Sequence, residues 1–242
     1  MKIDVVYKLG HGSKYFDEEL KYSLRSLSYF LDLGKVFIVG HRPNWITNII
    51  YIPANDPYRN NKDANLINKL ILACNHKDIS DKFLNMSDDI IFLNNVNCDF
   101  FDIPIINNKH INFIPGQKLN RWHSRLKRTI DALKSSSLRF DCYEAHCPYL
   151  LDKSLFTKTM LRYDYGVDIG YCGNTLYYNT NNIVGKDEAH KYVCSVMQEY
   201  TYEKIQNESK NKLFLNFNEK GFNEHMRKFL KQTFKDESIY EQ

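Results

Sequence analysis

Short β-branched runs alternate with amphipathic stretches through the first half of the chain. Ile3 to Tyr7 is an apolar run of the kind that opens an α/β sheet, and Gly10-His11-Gly12-Ser13 ends it in a loop. From Asp17, the acids Asp17, Glu18 and Glu19 enrich a first helical turn, and Leu20, Leu24, Leu27 and Leu31 recur at helical spacing until Gly34. Lys35 to Val39 reads as a second, buried strand and Ile49 to Ile52 as a third. Residues 53–61 carry dense turn chemistry. A helix over 62–75 follows, turning Leu66, Ile67, Leu70 and Ile71 to the sheet and Lys62, Asn65 and Lys69 to another face. Lys82 to Leu93 then gives strand, acidic pair, strand.

The second half reads as more helical. A strand is predicted at 110–114 and a helix from Arg121 to Lys134, followed by a helix near 152–162. An irregular aromatic segment over 163–182 precedes helices near 187–200 and 221–235. The expected fold is a single α/β domain with a mixed central sheet flanked by helices. Residues 1–115 form its ligand-binding α/β half and residues 116–242 a helical, acceptor-side half packed on it.

Composition supports this class. With 43% hydrophobic and 14% aromatic residues in 242, neither disorder nor a fibre is expected, and 10 Gly and 6 Pro argue against a repetitive β-barrel. A net charge of +4 permits an anionic ligand without requiring one. The six cysteines include no CxxC pair, so reduced thiols are expected. Asp4 interrupts the only apolar run at the N-terminus, and no run approaches the length of a transmembrane segment, so the expected location is cytoplasmic.

The sharpest chemical signal is Ser87-Asp88-Asp89 at the end of an apolar strand. Adjacent carboxylates repel and are costly to desolvate, so a cation is a natural partner; oxygen ligands suit Mg²⁺ or Mn²⁺ shared with substrate phosphates. A solvated turn is the plain alternative. Arg121, Arg125 and Arg128 share one predicted helix face, suited to a nucleotide diphosphate or a nucleic-acid backbone, or simply solvated. No helix-turn-helix, zinc-finger or RNP signature accompanies them. Arg25 offers bidentate donors to phosphate, or an ion pair to Glu18 or Asp88. Asp168 and Glu144 are candidate general bases. Cys142, His146 and Cys147 lack a second ligand pair at zinc spacing.

Four segments resemble the Stealth family: Asp4-Val5-Val6-Tyr7, Glu19-Leu20-Lys21-Tyr22-Ser23-Leu24-Arg25-Ser26-Leu27, Ser80 to Phe92, and His146-Cys147-Pro148-Tyr149-Leu150-Leu151-Asp152-Lys153. They occur in order across residues 4 to about 156. The resemblance implies a GT-A-like fold and a nucleoside-diphosphate sugar donor, expected to be UDP-linked. Asp88 and Asp89 match the acidic motif that holds metal and diphosphate, and His146 matches a third ligand or catalytic group. The match of Arg25 to the family segment favours contact with the diphosphate or the acidic pair. In the resulting reading the Tyr7-Lys8 strand end contacts the nucleoside, and Asn65 and Lys69 reach the donor from one helix face, a solvated face being the plain alternative. Ser87 stands where the family has Asn, and Gly173 to Asn179 supplies no counterpart of the later family arginine, which favours ordinary glycosyl transfer over sugar-1-phosphate transfer. The acceptor alternatives are a glycan and hydroxymethylated DNA, the latter weakly favoured by the arginine face. A non-catalytic nucleic-acid or glycan-binding protein with this fold is the reading from another class.

Overall fold

A computed structural model describes every residue except Met1, Pro115 and Asp168. Five strands form the main sheet: β1 (Ile3–Leu9), β2 (Leu33–Gly40), β3 (Ile50–Ile52), β4 (Lys82–Met86) and β6 (Tyr149–Asp152), in the order β3-β2-β1-β4-β6. The first four pair in parallel, with Val5 opposite Val36 and Leu84, while β6 runs antiparallel to β4 with Leu84 opposite Leu150. A smaller sheet holds β5 (Ile90–Phe92), β8 (Phe214–Phe217) and β7 (Val193–Val196) in the order β5-β8-β7. Chain order and sheet membership therefore cross: β5 leaves the first half for the small sheet, and β6 returns from the second half to the main one.

The expected elements up to Phe92 all occur. Helix α1 spans Glu18–Phe30 and α2 spans Lys62–Cys74, with Asn61 capping α2 by accepting from the backbone N of Ala64. Beyond residue 108 the chain differs more. Residues 110–114 hold no strand; the backbone forms a short 3-10 turn over Asn108–Ile111 instead. The aromatic segment contains α5 (Gly173–Thr180), and the helix expected near 187–200 shrinks to α6 (Ala189–Tyr192) before β7. Helix α7 (Tyr202–Ser209) and strands β6 and β8 lie where no element is predicted. Helices α3 (Arg121–Ser135), α4 (Lys153–Met160) and α8 (Glu224–Thr233) match their predicted places.

A large apolar core joins α1, α2, α4 and α5 to the main sheet, and a second gathers Tyr22, Ile91, Leu215, Phe217, Met226 and Leu230 between the small sheet and α7–α8. Asp4 is structural. Its nearly buried carboxylate accepts from the backbone N of Lys35 at 2.8 Å and of Ser80 at 3.0 Å, tying the starts of β2 and β4 to β1. Among the described residues no helix is long and apolar enough to cross a membrane.

Candidate functional site

The chain passes from one sheet to the other through Ser87-Asp88-Asp89, a turn between β4 and β5 at the carboxyl ends of the parallel strands, where open α/β sheets place ligands. The floor beneath this turn is set by side chains of α1. Ser23 Oγ donates to the Ile90 carbonyl at 2.6 Å, and Ser26 Oγ accepts from Phe92 N at 3.0 Å. These two hydroxyls satisfy the edge of β5 that β8 leaves unpaired, so a helix does the work of a neighbouring strand. The Tyr7 hydroxyl lies 2.7 Å from Ser23 Oγ and extends the chain into the core.

Above the turn lies a cleft of about 1180 Å³. Its walls come from the β1–α1 loop, the loop before α2, the start of α3 and the Phe217–Phe222 turn. Asp88 and Asp89 are half-buried in it. Burial raises the pKa of Asp88, with Lys62 and Lys8 acting against it. Burial and the Asp88 charge together push Asp89 up to about 7. Ser13 Oγ donates to Glu19 at 2.9 Å, and Glu19 is also raised by burial and by repulsion that includes Asp88. Glu19, Asp88 and Asp89 thus share the cleft with Asp56, Asp63 and Glu219.

The compensating cations are Lys8 and Lys62. Lys8 donates to Asn85 Oδ1 and, at 2.7 Å, to the Met86 carbonyl; burial lowers its pKa to about 8 although Asp88, Asp89 and Glu144 oppose the shift. Lys69 also lines the cleft but is 2% exposed and paired to Asp56 at 2.6 Å. Gly40 makes room for it, because a Cβ there would meet Lys69 Cε at 2.7 Å and the backbone φ is +107°. Asn65 uses both ends of its amide on Tyr58, accepting from its N and donating to its carbonyl at 3.0 Å, so it shapes the loop of residues 53–61.

Behind the cleft, Glu144 sits at the start of α5 and accepts from Thr175 N at 3.3 Å and Thr175 Oγ1 at 3.1 Å. Burial outweighs these bonds and pushes its pKa to about 7. His146 adopts φ +52°, a left-handed conformation that a non-glycine residue holds only when its surroundings enforce it. Asn216 Nδ2 donates to the His146 carbonyl at 2.8 Å, linking this turn to β8, whose Asn216 pairs with Ile90 beside the acids. His146 opens to solvent on one side, while the protein around its ring and the nearby His110 hold its pKa below the usual histidine range. Among the described residues no group of three or more His, Cys, Asp or Glu is gathered as a metal cage.

Several expected contacts fall elsewhere. Tyr7 is fully buried and faces Ser23, so at the β1 end the cleft is lined by Lys8 and the following loop. Arg25 points away from the cleft and clamps the C-terminal tail, donating from Nε and Nη2 to Glu241 at 2.8 and 2.6 Å and from Nη1 to the Phe234 carbonyl at 3.1 Å. The arginine face of α3 is divided. Arg121 and Arg125 both line the cleft, Arg121 donating to the Asn60 carbonyl and Arg125, 6% exposed, bound to Asp63 and the Ile169 carbonyl, while Arg128 lies over the Tyr171 ring at 4.9 Å. Asp168 lies outside the described residues. Glu19, Ser13 and Trp122 join the cleft without having been singled out. Glu19 had a signal, as the first residue of the segment that carries Arg25.

No family model and no curated protein matches the chain. Solved structures do. The fold aligns with an active-site variant of the glycosyltransferase LgtC over 98% of this chain and 98% of that one, with a TM-score of 0.52 at 9% identity. It also aligns with a glycosyltransferase involved in glycosylation of the major capsid of PBCV-1, over 96% of this chain and 99% of that one, at TM-score 0.46 and 9% identity. The third is the apo form of the glycosyltransferase GlyE of Streptococcus pneumoniae TIGR4, at TM-score 0.46 and 11% identity, where 96% of this chain spans 60% of GlyE. At these identities the likeness is one of fold, and the mixed α/β architecture is GT-A-like.

Proposed function

We propose that the chain is a metal-dependent glycosyltransferase that takes a nucleoside-diphosphate sugar, expected to be UDP-linked, in the cleft over Asp88 and Asp89. One observation carries the reading: two adjacent carboxylates, half-buried at the carboxyl end of a parallel sheet, with Asp89 pushed up to about 7. Such a pair gains most from a cation. Asp88 and Asp89 would hold an Mg²⁺ or Mn²⁺ ion, since hard cations take carboxylate oxygens. Held there, the ion would supply charge neutralisation at the leaving diphosphate.

The remaining roles belong to the chain's own side chains. Lys8 and Lys62 face the diphosphate, and Lys62 stands exposed enough to swing onto it. The acceptor hydroxyl oxygen forms a bond to the anomeric carbon as the bond from that carbon to the diphosphate oxygen breaks and its electron pair leaves with the diphosphate. The hydroxyl proton passes to Glu144, whose pKa near 7 suits a general base. His146 does not line the cleft; its carbonyl is held by Asn216, and no role with the substrate falls to it. The division of the arginine face removes the feature that favoured duplex DNA, and a glycan becomes the preferred acceptor.

Nucleotide sugars incubated with the protein and Mn²⁺ test this directly. Release of nucleoside diphosphate supports glycosyl transfer, nucleoside monophosphate would mark sugar-1-phosphate transfer of the Stealth kind, and no release with any donor would mark a binding protein.

A further inference from the structure

Beyond Trp122 lies a second cavity of about 340 Å³, lined by Lys109, His110, Phe113, Gln117, Asn120 and His123 among others. It shares no lining residue with the donor cleft. The two are nevertheless adjacent, because Trp122 lines the cleft and its ring meets His110 at 5.0 Å and His123 at 4.8 Å, edge to face on both sides. One indole separates the spaces, and the cavity's His110 is also the imidazole that influences His146.

The hydrogen bonds around the two histidines set the same tautomer, with the proton on Nδ1, but occupy opposite ring nitrogens. His110 Nε2 lies 2.9 Å from Asn107 Nδ2, which can only donate, so Nε2 accepts and the ring proton sits on Nδ1. Burial and His123 both lower the His110 pKa, which keeps that ring neutral at pH 7. On the other side, Asn120 Oδ1 accepts from the backbone N of His123 and stands 2.9 Å from its Nδ1. His123 Nδ1 is therefore the donor, and Nε2 is left as an acceptor. The cavity thus presents one imidazole donor and one imidazole acceptor about an aromatic wall, with the Gln117 carboxamide and the Phe113 ring beside them.

We propose that this cavity is the acceptor subsite and that it takes a saccharide; the proposal rests on the transferase reading of the neighbouring cleft. A sugar ring offers C–H faces to aromatic rings and hydroxyls that both donate and accept, which matches this lining. A phosphate backbone brings acceptors only and would leave His123 Nε2 unmatched. Two of the three α3 arginines that suggested a duplex are engaged within the chain: Arg125 with Asp63, Arg128 against Tyr171. Lys109 and Lys118 stand exposed at the rim and extend the range to saccharides bearing a carboxylate.

The test is a glycan array probed with the labelled 242-residue protein in the presence of UDP and Mn²⁺, beside a hydroxymethylcytosine duplex. Binding is then measured in solution with the Trp45→Phe protein, in which Trp122 is the sole tryptophan. We expect a subset of glycans to bind and to change Trp122 emission saturably. His110→Ala and His123→Ala should each weaken that binding about fivefold or more, the loss of one hydrogen bond. His123→Gln, which keeps an acceptor within reach, should retain more than His123→Ala. UDP with Mn²⁺ should stabilise all variants against heat as it does the parent, which separates failure of the subsite from failure of the donor site. Binding to no glycan, glycan binding that survives both alanine substitutions, or duplex binding that changes Trp122 emission would each overturn the proposal.

Discussion

Replacing Asp89 with Asn should stabilise the ligand-free protein and weaken its nucleotide complex, two effects of opposite sign from one atom. The Asp89 carboxyl rises from 3.8 to about 7 through burial and the neighbouring Asp88 charge. A displacement of roughly three pH units corresponds to at most about 4 kcal/mol, and water in the cleft screens it to about 1–2 kcal/mol. The folded state holds a proton that the unfolded state has lost between pH 3.8 and about 7, so wild-type stability falls across that window and is level above it. Asn has no such proton. The variant should match wild type near pH 4 and exceed its Tm by roughly 2–6 °C at pH 8. With UDP and Mn²⁺ at about 100 times their Kd, wild type should gain about 2.7 kcal/mol that the variant lacks. Thermal unfolding at both pH values, with and without ligands, measures all four quantities. A ligand-free variant less stable than wild type at pH 8, or one that keeps the full ligand gain, would refute the reasoning.

Three further outcomes follow from the geometry. Ser23→Ala removes the donor to the Ile90 carbonyl and should cost about 1–3 kcal/mol while loosening Mn²⁺-dependent UDP binding; denaturant unfolding and calorimetry read the two separately. Arg25→Ala leaves Glu241, 4% exposed, without its partner and should cost about 3 kcal/mol, yet UDP affinity should not change because the pair lies away from the cleft. Glu144→Gln should lower kcat and abolish the rise of rate with pH near 7 while sparing Mn²⁺-dependent UDP binding; an unchanged pH–rate profile would exclude Glu144 as the base.

The first half was legible because its elements announce themselves locally. Leu20, Leu24 and Leu27 repeat at helical spacing and all are buried in α1, and the strand–acid–strand order around Asp88 and Asp89 holds residue by residue. The second half was not, because β6, β7 and β8 are four-residue strands whose partners lie far away in sequence, such as Leu84 for Leu150 and Ile91 for Leu215. Tyr149 and Leu151 alternate with half-buried neighbours too briefly to set a period. At the site, clustering of like charge identified the acids, since repulsion is visible in sequence. Side-chain direction was not visible: Arg25 and Arg125 carry the residue type that binds phosphate, but each meets a carboxylate, Glu241 or Asp63, supplied by another part of the chain. Ser23 and Ser26 lie in the segment that resembles Stealth, and their task of completing the edge of β5 emerges only once that strand is seen beside the helix.

Isothermal titration of UDP into the wild-type protein, in Mn²⁺ and then in EDTA, tests the central claim most directly. The Asp88–Asp89 site requires that binding in Mn²⁺ be at least about tenfold tighter than in EDTA, about 1.4 kcal/mol, and that Asp89→Asn abolish the difference. Equal affinity in Mn²⁺ and EDTA, or no binding in either, would contradict a metal-held diphosphate in this cleft.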